Sequence, residues 1–338
     1  MVIIVGSYFN SFYTQFFLFF PIFRRFLIYV MPKKIAAFGE LLWDLLPGGK
    51  VLGGAPANFI YRINSFGDQG TLLSKVGNDK AGKDAREALR SLGVSDENVQ
   101  TDFEFPTGTV KIKIDAKGNP DFNIITDVAY DHIEINTEMI EAFCEADCVC
   151  FGTLVQRYGI SKNTLRELVH ESPGVVKFLD INLRKNCYTA ATIEDSLQMA
   201  NILKTNDEEL LITRGLLGLN NETLKDLAQE VIEKYNLDIL LCTLGSNGAF
   251  CLTSDEVFYY DPGYQISLGD TVGSGDAFSA GFVHYYMNEH PIDEALRFGN
   301  AAGALVATTT GATSPVSKQE ILDFMIIPHN RNSVRFHQ

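Results

Sequence analysis

The stretch ISLGDTVGSGDAFSAGF, residues 266–282, runs from a polar turn at Asp270-Thr271 through Gly273-Ser274-Gly275 into a small-residue apolar helix at Asp276-Ala277-Phe278. Two glycines around one small residue let the backbone turn sharply and come close to a ligand. A helix beginning just beyond them aims unpaired N–H groups and a partial positive charge at that ligand, which suits a phosphate. Asp276 is out of place in a pure phosphate site, because its carboxylate repels the anion. Its useful role is to accept the proton of a hydroxyl that attacks phosphorus. The plainer alternative is that Asp276 is an N-cap, a favoured role for Asp, and that the glycines form an ordinary turn. Local chemistry leaves both open.

The chain has 338 residues, 46% of them hydrophobic and 21% charged, which fits one α/β domain with an appendage and a sizeable core. Its formal charge of −14 argues against nucleic acid and anionic membrane surfaces as partners. Any site for a polyphosphate must then gather positive potential locally. The six cysteines (Cys144, Cys148, Cys150, Cys187, Cys242 and Cys251) mostly lie in apolar runs with no CxxC pair. They read as reduced thiols of a cytoplasmic protein, neither a disulfide framework nor a zinc site.

Residues 1–30 differ from the rest: rich in Phe, without an acid, and free of charge from Met1 to Phe23. Length alone makes them a membrane-span candidate; Asn10, Ser11, Thr14, Gln15 and Pro21 count against it. Arg24-Arg25 follow the apolar run, the reverse of a secretory signal. Met31 opens MPKKIAAFGE, and the expectation is that it is the biological start, with 1–30 an upstream artefact and the body of the protein at 31–330. Removing the two arginines takes the charge from −14 to −16. A real anchor would still favour a cytoplasmic body.

Short apolar runs at Ile35–Phe38, Thr71–Val76, Cys148–Phe151, Val175–Ile181, Ile202–Thr205 and Ile239–Thr243 read as strands, most of them buried and parallel. Helical patterns lie between them, for example Ala81–Leu92 and the Ala/Gly-rich Ile292–Thr309. The alternation predicts an α/β fold: a doubly wound, mostly parallel sheet flanked by helices, with ligands at the C-terminal strand ends. Thr109–Ile114 alternates strictly, and with the turn Lys117–Pro120 and the run Phe122–Ile125 it predicts a hairpin with one wet face.

Gly77–Asp84 nearly matches a P-loop, but Asp84 stands where a hydroxyl should hold magnesium, and two carboxylates would repel phosphate. It reads as a solvated helix start. No Rossmann glycine motif follows the first strand. Polar groups gather at other strand ends: Asp44, Asn58 in the helix opened by Gly53-Gly54, Asp180–Arg184, and Asn206–Glu209. Singly each is a helix cap or exposed charge; together they surround one rim beside the Gly273–Asp276 turn.

From about Lys34 to Ser317 the chain resembles the ribokinase-like (PfkB) carbohydrate kinases, and most closely the bacterial fructokinases. The carrying segments are Phe38–Asp44, Gly53–Asn58, Gly152–Arg157, Asp180–Arg184, Asn206–Glu209, Thr243–Gly248 and Asp270–Phe282. The resemblance implies that Asp276 is the base, with the amides of Gly273, Ser274, Gly275 and Asp276 as anion hole and Arg184 adding positive charge. Asn206 and Glu209 match the family's Asn-x-x-Glu motif, which organises Mg2+ and phosphate partly through water. Thr243, Gly245, Gly248 and Asn300 would border ATP. Asp44, Gly54 and Asn58 would hold the sugar, with Gln156 and Arg157 as lesser candidates. Asp270 and the carbonyls of Val272 and Ala307 would correspond to a K+ site. A small β-sheet lid from about 45–55 and 103–128 would exclude water and could pair in a homodimer.

The expected activity is ATP-dependent phosphorylation of a free hexose, D-fructose to fructose 6-phosphate. Ribose, 2-keto-3-deoxygluconate, and a non-catalytic sugar-binding regulator are the alternatives. No aromatic clamp for a nucleoside base stands near Asp44. Ser274, where relatives commonly have Ala, leaves the backbone amides unaffected.

Overall fold

The computed structural model describes residues 31–46, 48–114 and 120–332, so the N-terminal extension and the turn at 117–119 lie outside the described residues. The first apolar run forms β1 (Lys34–Phe38), whose side chains alternate between two cores: Ile35 and Ala37 enter one, Ala36 and Phe38 the other. A strand buried on both faces needs helices on both sides, and the chain supplies them.

After β1 come β2 (Leu42–Leu46), β3 (Gly49–Gly53), α1 (Ala55–Phe66), β4 (Gln69–Gly77), α2 (Lys80–Ser91) and β5 (Val99–Asp102). Then follow β6 (Gly108–Ile114), β7 (Pro120–Ile124), α3 (Thr137–Cys144), β8 (Cys148–Phe151), α4 (Gly159–Glu171), β9 (Val176–Asp180), α5 (Ala190–Met199) and β10 (Ile202–Asn206). The last part comprises α6 (Asp207–Leu217), α7 (Leu224–Tyr235), β11 (Ile239–Thr243), β12 (Gly248–Thr253), β13 (Phe258–Tyr264), α8 (Ser274–Met287), α9 (Ile292–Val306), α10 (Lys318–Ile326) and β14 (Arg331–Asn332).

The large sheet has the order β14-β13-β12-β11-β10-β9-β8-β1-β4-β5. It is parallel from β5 to β11 and antiparallel from β11 to β14. The antiparallel edge is absent from the sequence expectation, because Phe258–Tyr264 carries a Pro and a Gly and does not read as a strand. Helices α1, α2, α8, α9 and α10 cover one face, and α3 to α7 the other. From β1 the chain passes to β4 and β5 on one side, then returns to β8 on the other. The order reverses between β1 and β8, where an open α/β sheet leaves a crevice at its C-terminal edge.

The hairpin is larger than expected: β2 and β3 join β6 and β7 in a second sheet of order β3-β2-β6-β7, with β2 parallel to β6. Residues 103–107 belong to the loop after β5 and not to this sheet. Arg157 fastens the chain beyond β7 to the main body. It reaches both oxygens of Asp131 (Nε–Oδ1 2.7 Å, Nη2–Oδ2 2.8 Å), the Ile125 carbonyl (2.8 Å) and the Tyr130 hydroxyl (3.0 Å). Asp131 is fully buried, so removing it strands a guanidinium away from water. Asp131→Ala should cost about 3–5 kcal/mol, read from the urea unfolding midpoint; a change within 0.5 kcal/mol (about the surface-substitution range) would contradict this anchoring.

Candidate active site

Gly273 N-caps α8 in the left-handed region (φ 78°), and a Cβ there would lie 2.4 Å from that of Ala312. Only glycine accepts both the conformation and the contact. The first turn of α8 does not expose every amide. The Ser274 N–H donates to the Thr271 carbonyl (3.2 Å) and the Ala277 N–H to that of Gly273 (2.9 Å), whereas the amides of Gly275 and Asp276 have no acceptor among the described residues. The anion hole expected over Gly273–Asp276 thus loses one donor, Ser274. Its hydroxyl points away too, donating to the Gly303 carbonyl in α9 (3.0 Å).

Asp276 accepts a hydrogen bond on Oδ2 from Asn58 Nδ2 of α1 (2.8 Å). Desolvation first, then the Asp180 carboxylate, pushes its pKa up to about 6, against the pull of Asn58, Lys204 and Arg184. That is the range of a usable base at neutral pH. Asp276 lines one crevice with Glu40, Cys150, Thr153, Asp180 and Asn182. These residues stand at the ends of β1, β8 and β9, where the strand order reverses. Burial lifts the Glu40 pKa to about 7, and its Oε1 accepts from the Ala55 N–H (3.3 Å). Asp44, on β2, is raised by burial and lowered by Arg184. The exposed Arg184 is thus the cation common to Glu40, Asp44 and Asp276. Gly54 N-caps α1, where a Cβ would strike the Glu40 carbonyl.

Asn206 and Glu209 form a capping box at the start of α6. Asn206 Oδ1 accepts from the Glu209 N–H (2.8 Å), and Glu209 Oε2 accepts from the Asn206 N–H (3.0 Å). Glu209 Oε1 also takes the Leu183 N–H (2.9 Å), joining this box to the Asp180–Arg184 loop. Each carboxylate oxygen retains a lone pair, so the pair still fits a hydrated cation. Among the described residues no three His, Cys, Asp or Glu side chains cluster as direct metal ligands.

Several expected site residues have other partners. Gln156 is buried, with Nε2 donating to the Gly152 carbonyl and Ser196 Oγ (both 2.8 Å), and Arg157 is committed to Asp131; neither lines the crevice. Asn300 Nδ2 donates to Asp261 and to the Pro262 carbonyl (2.9 Å), pinning the β12–β13 hairpin to α9. Gly248 is required by packing, since a Cβ would lie 2.0 Å from the Asp261 carbonyl. Thr243 and Gly245 end β11 and open the turn after it, with free space beside Gly245. The carbonyl of Ala307 already accepts from Gly269 N (2.9 Å) and Asp270 N (3.3 Å), which fills both lone pairs. It therefore does not fit as a cation ligand. Asp270 accepts from Val272 N (3.0 Å) and Gly311 N (3.3 Å), and the exposed Val272 gives its amide to that bond.

The P-loop-like stretch is the helix start it was read as: Asp79 caps α2, accepting from Gly82 N (2.7 Å) and from Thr107. All six cysteines are free thiols, and among the described residues no helix is long and apolar enough to cross a membrane. Sequence reasoning overlooked Glu40 and Lys204. Each carried a signal: a carboxylate just past a strand end, and a lysine inside the apolar run ILKTN.

The family model described as pfkB family carbohydrate kinase matches residues 33–319. A sugar kinase of Pyrococcus horikoshii is 28% identical over 311 residues, covering 86% of this chain and 95% of the relative. The crystal structure of that uncharacterized kinase in complex with ATP superposes with a TM-score of 0.74 over 86% of this chain and 97% of that one. A fructokinase of Salmonella typhimurium is 26% identical over 312 residues (87% and 99% of the two chains). A ribokinase of Haemophilus influenzae is 27% identical over 277 residues (81% and 87%).

Asn58→Ala should move the Asp276 titration midpoint above about 6, because the lost hydrogen bond favours the ionised carboxylate. Carboxyl 13C NMR of labelled Asp would read the shift, and an unmoved midpoint would remove Asn58 as its partner.

Proposed function

The chain belongs to the pfkB family of carbohydrate kinases, and we propose that its reaction transfers the γ-phosphoryl group of ATP to the C6 hydroxyl of D-fructose. Phosphotransfer to a sugar hydroxyl follows from membership of the family. The observation that carries the reading further is Asp276, held by Asn58 in the lining of the crevice beside two unpaired amides.

In this reading Asp44 and Asn58 hold the sugar so that one hydroxyl reaches Asp276. The carboxylate takes that proton as the oxygen attacks, and the amides of Gly275 and Asp276 stabilise charge on the transferring group. Arg184 supplies positive potential that an acidic chain otherwise lacks. Bound ATP supplies the phosphoryl group, and Mg2+ offsets its charge. Asn206 and Glu209 would hold the ion through water, with Thr243 and Gly245 bordering the nucleotide. Of the expected K+ ligands only the Ala307 carbonyl is already spent on two amides, and no step is assigned to K+. The β3-β2-β6-β7 sheet carries Asp44 and would act as the lid that excludes water.

Similarity to fructokinases supports the hexose, and the ribokinase likeness makes ribose the second reading. A sugar acid such as 2-keto-3-deoxygluconate fits less well. Its carboxylate would meet Glu40, Asp44, Asp180 and Asp276 with Arg184 as the exposed cation.

The deciding experiment is an ADP-release assay with Mg-ATP over D-fructose, D-glucose, D-mannose, D-ribose, 2-keto-3-deoxygluconate and adenosine. Turnover led by fructose is expected; turnover led by ribose would move the specificity to the second reading. Asp276→Asn should lower kcat by about 10²–10⁴-fold with sugar binding kept, and near-normal turnover would end its assignment as base. In the wild type kcat/KM should fall as pH drops through about 6, because protonated Asp276 no longer accepts a proton. Trp43 neighbours Asp44 and donates from Nε1 to the Ala81 carbonyl (2.9 Å). Its fluorescence should change on sugar binding, and silence with a sugar that is turned over would place the sugar away from Asp44.

A further inference from the structure

Lys204 is a lysine on β10 in the core face shared by Ile202, nearly excluded from water (9% side-chain exposure). Its Nζ pairs with Asp180 Oδ1 at the end of β9 (3.1 Å), and Asp180 Oδ2 accepts from Ser279 Oγ of α8 (2.8 Å). A Cβ built on Gly275 would lie 3.3 Å from the same Nζ, so the ammonium sits against the first turn of α8. Burying such a pair costs desolvation that well-packed apolar residues would avoid. Its place in the molecule gives it another use.

We infer that Lys204, paired with Asp180 against the first turn of α8, is a positioning residue for Asp276: the pair ties β9 and β10 to that turn and sets the charge the base faces. This rests on the reading of Asp276 as base. The groups that face Asp276 come from every element around it. Asp180 and Lys204 come from β9 and β10, Arg184 from the loop after β9, and Glu40 from the loop after β1. Asn58 and Arg62 come from α1, and Cys150 from β8. Lys204 and Asp180 act on the carboxylate with opposite sign. Arg62, fully buried, donates from Nη2 to the Ala312 carbonyl (2.8 Å) and so holds the segment that packs on Gly273. Lys204 does the corresponding work from the sheet side. Gly275 has no side chain to intervene.

The test compares Lys204→Met, Asp180→Asn and the double variant by the acid limb of kcat/KM and by carboxyl 13C NMR of Asp276. Lys204→Met should raise the midpoint above about 6, with a loss of activity several-fold larger at pH 6 than at pH 8. Asp180→Asn should lower the midpoint. The double variant, which leaves no unpaired buried charge, keeps the comparison available if Lys204→Met does not fold; its midpoint should lie below that of Lys204→Met, or, where that protein is lost, above that of Asp180→Asn. Variants that lose thermal stability while every midpoint stays at the wild-type value would overturn the inference and leave the pair a structural one. If Asp276→Asn proves fully active, the base assignment fails by itself, and the NMR midpoints still report whether the pair acts on Asp276.

Discussion

A 2.8 Å hydrogen bond between Asn58 and Asp276 joins two helices whose contributing residues are 218 positions apart in the chain. Helices α1 and α8 lie on the same face of the large sheet, and this contact fixes one against the other at their N-terminal turns. Both turns begin at a glycine with positive φ, and each glycine is pressed against a neighbouring segment, Glu40 in one case and Ala312 in the other. Moving either helix breaks the amide–carboxylate contact and the packing behind it. The crevice, the free amides and the base all depend on that junction.

Electrostatics explains why so much polar machinery is concentrated there. A chain of net charge −14 repels a polyphosphate at long range, so attraction must be local. Two backbone amides, the exposed Arg184 and the buried Lys204 supply it. Against them stand the carboxyls of Asp180, Asp276, Glu40 and Glu209; burial raises Glu209 and lifts Asp276 and Glu40 into the range of neutral pH. The site therefore balances charge through desolvation and pairing. No single dominant cation is needed.

Many residues with chemical potential also hold the fold. Asn206 and Glu209 close a capping box and fasten the Asp180–Arg184 loop to α6, which orders Arg184's neighbourhood before any ligand arrives. Asn300 and Gly248 maintain the antiparallel edge, and Arg157 anchors the chain that follows the small sheet. Motif residues in such positions cannot be assigned to a ligand by type alone, since a satisfied amide or guanidinium has no remaining donor to offer.

Strands β1, β4, β8, β9, β10 and β11 of the parallel core, helices α2 and α9, and the glycine turn that opens α8 were legible in the sequence, because apolar periodicity and glycine placement are local properties. Strands β1, β8 and β11 fall where their apolar runs do. The sequence also separated Asp79 and Asp84 from a phosphate site, because like charges repel in any fold. The antiparallel strands β12 and β13 escaped it; in β13, Pro262 and Gly263 hide a strand that only its neighbours near the sheet's edge define. Which polar groups are already committed was equally hidden: the Ala307 carbonyl, the Gln156 amide nitrogen and the Arg157 guanidinium have partners 26 to 40 residues away. Residue type at each position came from the chain, while partnership came from the tertiary structure, because a hydrogen bond or ion pair depends on distance in space and leaves no trace in spacing along the sequence.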